Sequence, residues 1–138
     1  MPYALVWEPE GVLVEFSGAI TARELIHSTR QLQSDSRFDE ASYIINDLSA
    51  ITGYQLAEEG LRELSAINYG AFASHPNCRI VYVTTDATLA GQLDAILMAP
   101  DMISYEITSK PTVSAARDWL DSQPQLHIMS SIMGFRIR

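Results

Sequence analysis

Two short runs constrain the fold more than anything else in the chain: Tyr43-Ile44-Ile45 and Ile80-Val81-Tyr82-Val83. Both are built of β-branched, aliphatic or aromatic residues and are bounded by polar ones. A strand with one wet face alternates apolar and polar residues, whereas an unbroken apolar run reads as a parallel strand covered on both faces. Parallel neighbours need a crossover. Between the two runs, Leu56 to Phe72 carries Ala57, Leu61, Leu64 and Ala71 on one side and a favourable i,i+4 pair, Glu58 and Arg62. This reads as the crossover helix. Gly60 and Gly70 each weaken it by roughly 1 kcal/mol, and Gly60 is expected to allow close packing on the sheet.

The flanking segments repeat the alternation. Tyr3 to Trp7 and Val12 to Phe16 are apolar runs joined by Glu8-Pro9-Glu10-Gly11, which is hairpin turn chemistry. Val12, Val14 and Phe16 share one face, and Gly18 is expected to end the strand. Thr21-Ala22-Arg23-Glu24 has capping-box spacing. Leu25, Ile26, Thr29 and Leu32 follow at helical spacing, and that helix should fade near Asp35. A third helix carries Leu89, Leu93, Ile96 and Leu97 and closes at Pro100; a last strand is expected at Ile103 to Ile107. A fourth helix opens at Pro111-Thr112-Val113, turns Ala116, Trp119 and Leu120 inward, and ends at Pro124. The predicted order, ββαβαβαβα, is an α/β domain with a mainly parallel sheet, an antiparallel first strand and helices packed on the sheet. The domain is expected over residues 1–122, followed by an apolar C-terminal extension at 123–138.

Composition narrows the function classes. The chain has 138 residues, one domain's worth. Its formal net charge is −8 and its nine Lys and Arg are scattered, which disfavours nucleic-acid binding. Cys78 is the single cysteine, as suits a reducing compartment. Glu8 and Glu10 interrupt the first apolar run, so no signal peptide is expected, and no stretch approaches the roughly 20 apolar residues that span a bilayer. The expected location is cytoplasmic.

Gly11 to Gly18 (GVLVEFSG), the Asp47-Leu48-Ser49 turn after Tyr43-Ile44-Ile45-Asn46, Val83-Thr84-Thr85-Asp86 and Thr112 to Leu120 (TVSAARDWL) resemble the STAS-like fold of anti-sigma-factor antagonists and of small bacterial SpoIIAA-like proteins. That fold is related to Sec14-type lipid-transfer domains. The resemblance spans about residues 3 to 122 and implies a regulatory or protein-interaction role with a protein partner. It also implies a phosphorylatable serine at the start of the second helix. This chain reads Gly53-Tyr54-Gln55-Leu56-Ala57-Glu58 there, and Ser49 and Thr52 come earlier.

Ligands of open α/β sheets bind beyond the carboxyl ends of the strands. Asn46 to Tyr54 and Thr84 to Thr88 are expected there as loops, supplying Asp47, Ser49, Tyr54, Thr84 and Asp86 as ligand or interaction candidates. The plainer alternative makes Asp86 a helix cap and Asp47 with Ser49 a turn. Asp47 and Asp86 could also face each other as paired carboxylates, which would need one raised pKa for acid–base work. His27, His75 and His127 have no metal-ligand spacing, and no phosphate-cradling glycine loop or nucleophile elbow is present. No catalytic residue, metal or cofactor is expected. The tail, QLHIMSSIMGFRIR, is apolar enough to require cover, either on its own domain or on a second subunit as a homodimer. Two functions follow: a non-enzymatic interaction or regulatory module, or a carrier of a small apolar or acyl ligand beside Leu93, Leu97, Met98 and the tail.

Overall fold

The structure, a computed structural model, describes residues 2–97 and 104–126. Five strands form one sheet in the order β1-β2-β3-β4-β5: Tyr3–Glu8, Gly11–Thr21, Tyr43–Gln55, Arg79–Val83 and Glu106–Lys110. β1 runs antiparallel to β2, and every other pair is parallel. The helices are α1 (Ala22–Gln33), α2 (Glu58–Ser74), α3 (Ala87–Leu97) and α4 (Val113–Ser122), with a short 3-10 helix at Ser36–Glu40. The expected α/β order holds, apart from that added 3-10 turn.

The two sheet faces are unequally covered. Val12, Val14, Phe16, Ile44, Ile80 and Tyr82 pack with α1, α2 and α3 in the larger core. Leu64 of α2 is wholly buried there, which contributes about 1.5–3 kcal/mol. Ile45, Val81 and Val83 pack on the other face against Ala116 of α4, flanked by Trp119 and Leu120. All five residues of β4 are buried, as an unbroken apolar strand requires.

Helix entry follows the local signals. Thr21 and Glu24 form the capping box: the Thr21 amide donates to Glu24 Oε1 at 2.5 Å, and the Arg23 amide donates to Thr21 Oγ1 at 3.2 Å. Thr112 caps α4 by accepting from the Ala115 amide at 3.0 Å. Glu58 and Arg62 pair at 2.6 Å.

Four expectations are corrected. Gly18 does not end β2. It adopts φ +74°, a left-handed conformation that suits glycine, and sits at a register shift that lets the strand run on to Thr21. Ser17 to Thr21 thereby pair with Ala50 to Gln55, so β3 is thirteen residues long and the segment expected as a loop is strand. Gly60 packs against α1 rather than the sheet, for a Cβ there would lie 2.5 Å from the Ala22 Cβ. The last strand is Glu106–Lys110 rather than Ile103 to Ile107. Its register places Glu106 beside Arg79, and the two side chains form an ion pair at 2.8 Å. Met98, Pro100 and Ile103 lie outside the described residues.

Candidate functional site

The carboxyl end of the sheet holds all five predicted site residues, but in two separate groups. Asp47 and Ser49 stand on β3, where Asp47 Oδ1 accepts from the Ser49 amide at 3.0 Å and from its hydroxyl at 2.6 Å. Thr84 and Asp86 follow β4. Thr84 Oγ1 accepts from the Asp86 amide at 3.0 Å, and the Thr84 amide donates to the Lys110 carbonyl. Asp86 Oδ1 accepts from the amides of Thr88 and Leu89 at 2.9 and 3.1 Å, which caps α3. Its other oxygen accepts from the Tyr54 hydroxyl at 3.0 Å, a bond that ties the far end of β3 to α3.

This chemistry is that of a polar surface. The Leu89 amide, with the Tyr54 hydroxyl next, holds the Asp86 carboxyl below its ordinary value. An acid–base pair needs the opposite shift in one member. Among the described bonds Asp47 and Asp86 share none; each is committed to near neighbours. Ser49 and Asp86 are exposed, while Tyr54 is half-buried.

Beyond β4, which ends at Val83 opposite Asp47, β3 runs on to Gln55 paired only with β2 among the described strands. The β2–β3 ribbon therefore projects past the sheet and presents Ser49, Ala50 and Thr52 to solvent.

The amino end carries a second cluster, one that sequence reasoning missed. Arg117 of α4 grips Glu8 of β1 with both terminal nitrogens, at 2.9 and 2.7 Å. The Tyr43 hydroxyl donates to the same carboxylate. The Arg117 guanidinium holds the Glu8 carboxyl below its ordinary value against the opposing effect of burial. Arg79, buried at the head of β4, donates to Glu106 Oε1 at 2.8 Å and to the Pro124 carbonyl at 2.9 Å. A cleft of about 920 Å³ opens there, between the Pro9–Glu10 turn, residues 39–43 and the end of α4. The one available signal was an arginine heading an apolar strand, since charged residues are rarely fully buried unless paired.

His27 Nδ1 lies 2.5 Å from the Tyr3 hydroxyl, and His75 pairs with Asp39 at 2.8 Å. His127 lies outside the described residues, and among those described no group of His, Cys, Asp or Glu is placed to hold a metal. Burial pushes the Cys78 thiol up to about 12, so it is no nucleophile at neutral pH. Leu93 and Leu97 are packed in the larger core and do not line this cleft; Met98 and the tail from His127 lie outside the described residues. No described helix is long and apolar enough to cross a membrane.

No family model and no curated protein matches the chain. Among the solved structures that share its architecture are two at low identity. One is an uncharacterised protein of the DUF3478 family with a SpoIIAA-like fold from Shewanella loihica PV-4, at 16% identity and TM-score 0.53 over 86% of this chain and 91% of that one. The other is the anti-sigma factor antagonist SpoIIAA in its unphosphorylated form, at 12% identity and TM-score 0.53 over 88% of this chain and 99% of that one. The fold is SpoIIAA-like. Within this fold, α2 starts after Ala57, which makes no side-chain capping bond, and no serine or threonine stands there.

Proposed function

We propose that this chain is a non-enzymatic interaction module of the STAS type, which binds a regulatory protein partner through the carboxyl end of its sheet. The observation that supports this reading most is the likeness to the SpoIIAA antagonist across 88% of the chain. The projecting β2–β3 ribbon, with Ser49, Tyr54 and Asp86 grouped on it or beside it, adds a polar surface whose side chains are held but not buried. Groups fixed by bonds to their own chain lose little further entropy on docking. A cytoplasmic setting fits such a partner.

The test combines two measurements on the full chain. A partner captured from cell extract is purified and its affinity measured directly; Ser49→Lys and Thr52→Lys, both exposed on the ribbon, are expected to weaken it at least about tenfold without moving the unfolding midpoint, as bulky charge at an interface centre does. Turnover of a metabolite by the purified chain, lost in Asp47→Asn or Asp86→Asn, would refute the reading. Native mass spectrometry addresses the alternative carrier, which no observation among the described residues favours: a retained mass of roughly a few hundred daltons, the scale of a pocket ligand, would put it first.

A further inference from the structure

The amino-end cleft has an uncompensated charge and a half-apolar lining. Both of its arginines are already committed, Arg117 to Glu8 and Arg79 to Glu106. Asp39 is paired with His75. Glu10, Glu40 and Asp121 line the same cleft, are exposed, and make no ion pair among the described residues. Pro9, Ala41, Leu120 and Leu126 supply apolar surface between them. Such a site suits a segment that is apolar, basic and free of carboxylate side chains.

The chain itself delivers one. After α4 the backbone is tied into the cleft wall where Arg79 Nη1 donates to the Pro124 carbonyl at 2.9 Å, and Gln125 and Leu126 line the cleft. The next twelve residues, HIMSSIMGFRIR, contain six large apolar side chains, His127, Arg136 and Arg138, and no Asp or Glu. Twelve residues reach at most about 40 Å when extended, ample for a cleft of this volume. A segment tethered at the cleft mouth meets it at an effective concentration on the millimolar scale, well above that of a second copy.

We propose that the cleft is the docking site of residues 127–138 of the same chain, with Arg136 and Arg138 answering Glu10, Glu40 and Asp121. The apolar residues of the segment then find cover on their own domain, and the carboxyl end stays open for a partner. This inference does not rest on the interaction reading.

Hydrogen exchange of the full-length chain at low salt, read by mass spectrometry, is the test. Amides of residues 128–137 are expected to exchange more slowly than in a synthetic peptide of residues 127–138. Reversing Arg136 and Arg138 to Glu should reduce that protection about fivefold, as should Glu10→Lys with Asp121→Lys; both reversals together should restore it. The reversed side chains on the domain are exposed, so an unchanged unfolding midpoint confirms the fold in each variant. Peptide-like exchange in the unaltered chain would overturn the proposal, as would failure of the combined reversal to restore protection. Protection that rises with protein concentration alongside a dimer on sedimentation would also overturn it, by placing the segment on a second copy.

Discussion

The two ends of the sheet are held by different kinds of bond. At the carboxyl end the side-chain bonds are mostly local: Asp47 to Ser49, Thr84 to Asp86, Asp86 to Leu89 and Thr21 to Glu24, with Tyr54 to Asp86 the long-range exception. At the amino end they join distant parts of the chain: Glu8 to Arg117 across 109 positions, Arg79 to Pro124 across 45, Tyr43 to Glu8 across 35. Local bonds begin helices and shape turns, but they hold no element against another. The long-range bonds close β1, β3, β4 and α4 onto one another. The amino end thus contributes stability, and the carboxyl end is free to carry a surface whose alteration costs the fold little.

The sharpest way to break that contrast is at Gly11, where β2 enters beside β3. A Cβ there would sit 2.6 Å from the Tyr43 carbonyl oxygen and 2.5 Å from its ring. The backbone oxygen cannot swing aside, and the ring is the one that reaches Glu8. Gly11→Ala is expected to cost about 3 kcal/mol in urea unfolding, the largest effect of the series. A loss no greater than that of Gly53→Ala, whose Cβ would meet nothing within 4 Å, would remove the special status of the amino end.

Arg79→Met comes next. It keeps the apolar stem but strands the Pro124 carbonyl and releases Glu106. Loss of a charge-assisted pair of bonds at this buried position should cost about 2 kcal/mol by the same measurement.

A pH dependence sharpens the comparison further. The Glu8 carboxyl is depressed below its ordinary 4.5 in the folded chain, first by the Arg117 hydrogen bonds. The unfolded chain therefore takes up the proton at higher pH than the folded one. The stability this supplies is fully present above 4.5 and is lost as pH falls through the folded value. Unfolding midpoints measured from pH 6 down to pH 3 should fall less steeply in Glu8→Gln than in the unaltered chain. Parallel slopes would show that the Glu8–Arg117 pair is not what links α4 to the hairpin.

The same contrast explains what could be read from sequence. Runs such as Ile80 to Val83 declare a buried parallel strand by composition, and Thr21 with Glu24 declares a helix start by spacing; both are local signals and both were met. The length of β3 was not readable. Its polar half, Ser49 to Gln55, has no apolar run of its own and is strand because β2 continues beside it past Gly18. Local preference gave a loop there, and tertiary pairing overrode it. The grouping of Glu8, Tyr43 and Arg117 was equally hidden, because nothing near Glu8 points to a residue on the last helix.

Thr21→Ala probes the local class. It removes the capping hydroxyl at the point where the ribbon becomes α1 and should cost about 1 kcal/mol in thermal or urea unfolding. A cost above that of Arg79→Met would invert the ranking of the two ends.

Tyr54→Phe gives the smallest expected change in stability, and the most informative one. Its hydroxyl makes the long-range side-chain bond of the carboxyl end, donated to an Asp86 oxygen that α3 does not need for its cap. Removing it leaves the Thr88 and Leu89 amides satisfied by Asp86 Oδ1. The unfolding midpoint should stay where it is. If the carboxyl end is an interaction surface, partner affinity should fall while the midpoint holds, because the ring loses the bond that fixes it over Asp86. A midpoint that drops with Tyr54→Phe would mean that this bond closes the fold as the amino-end bonds do, and the division between a stabilising end and a free end would fail.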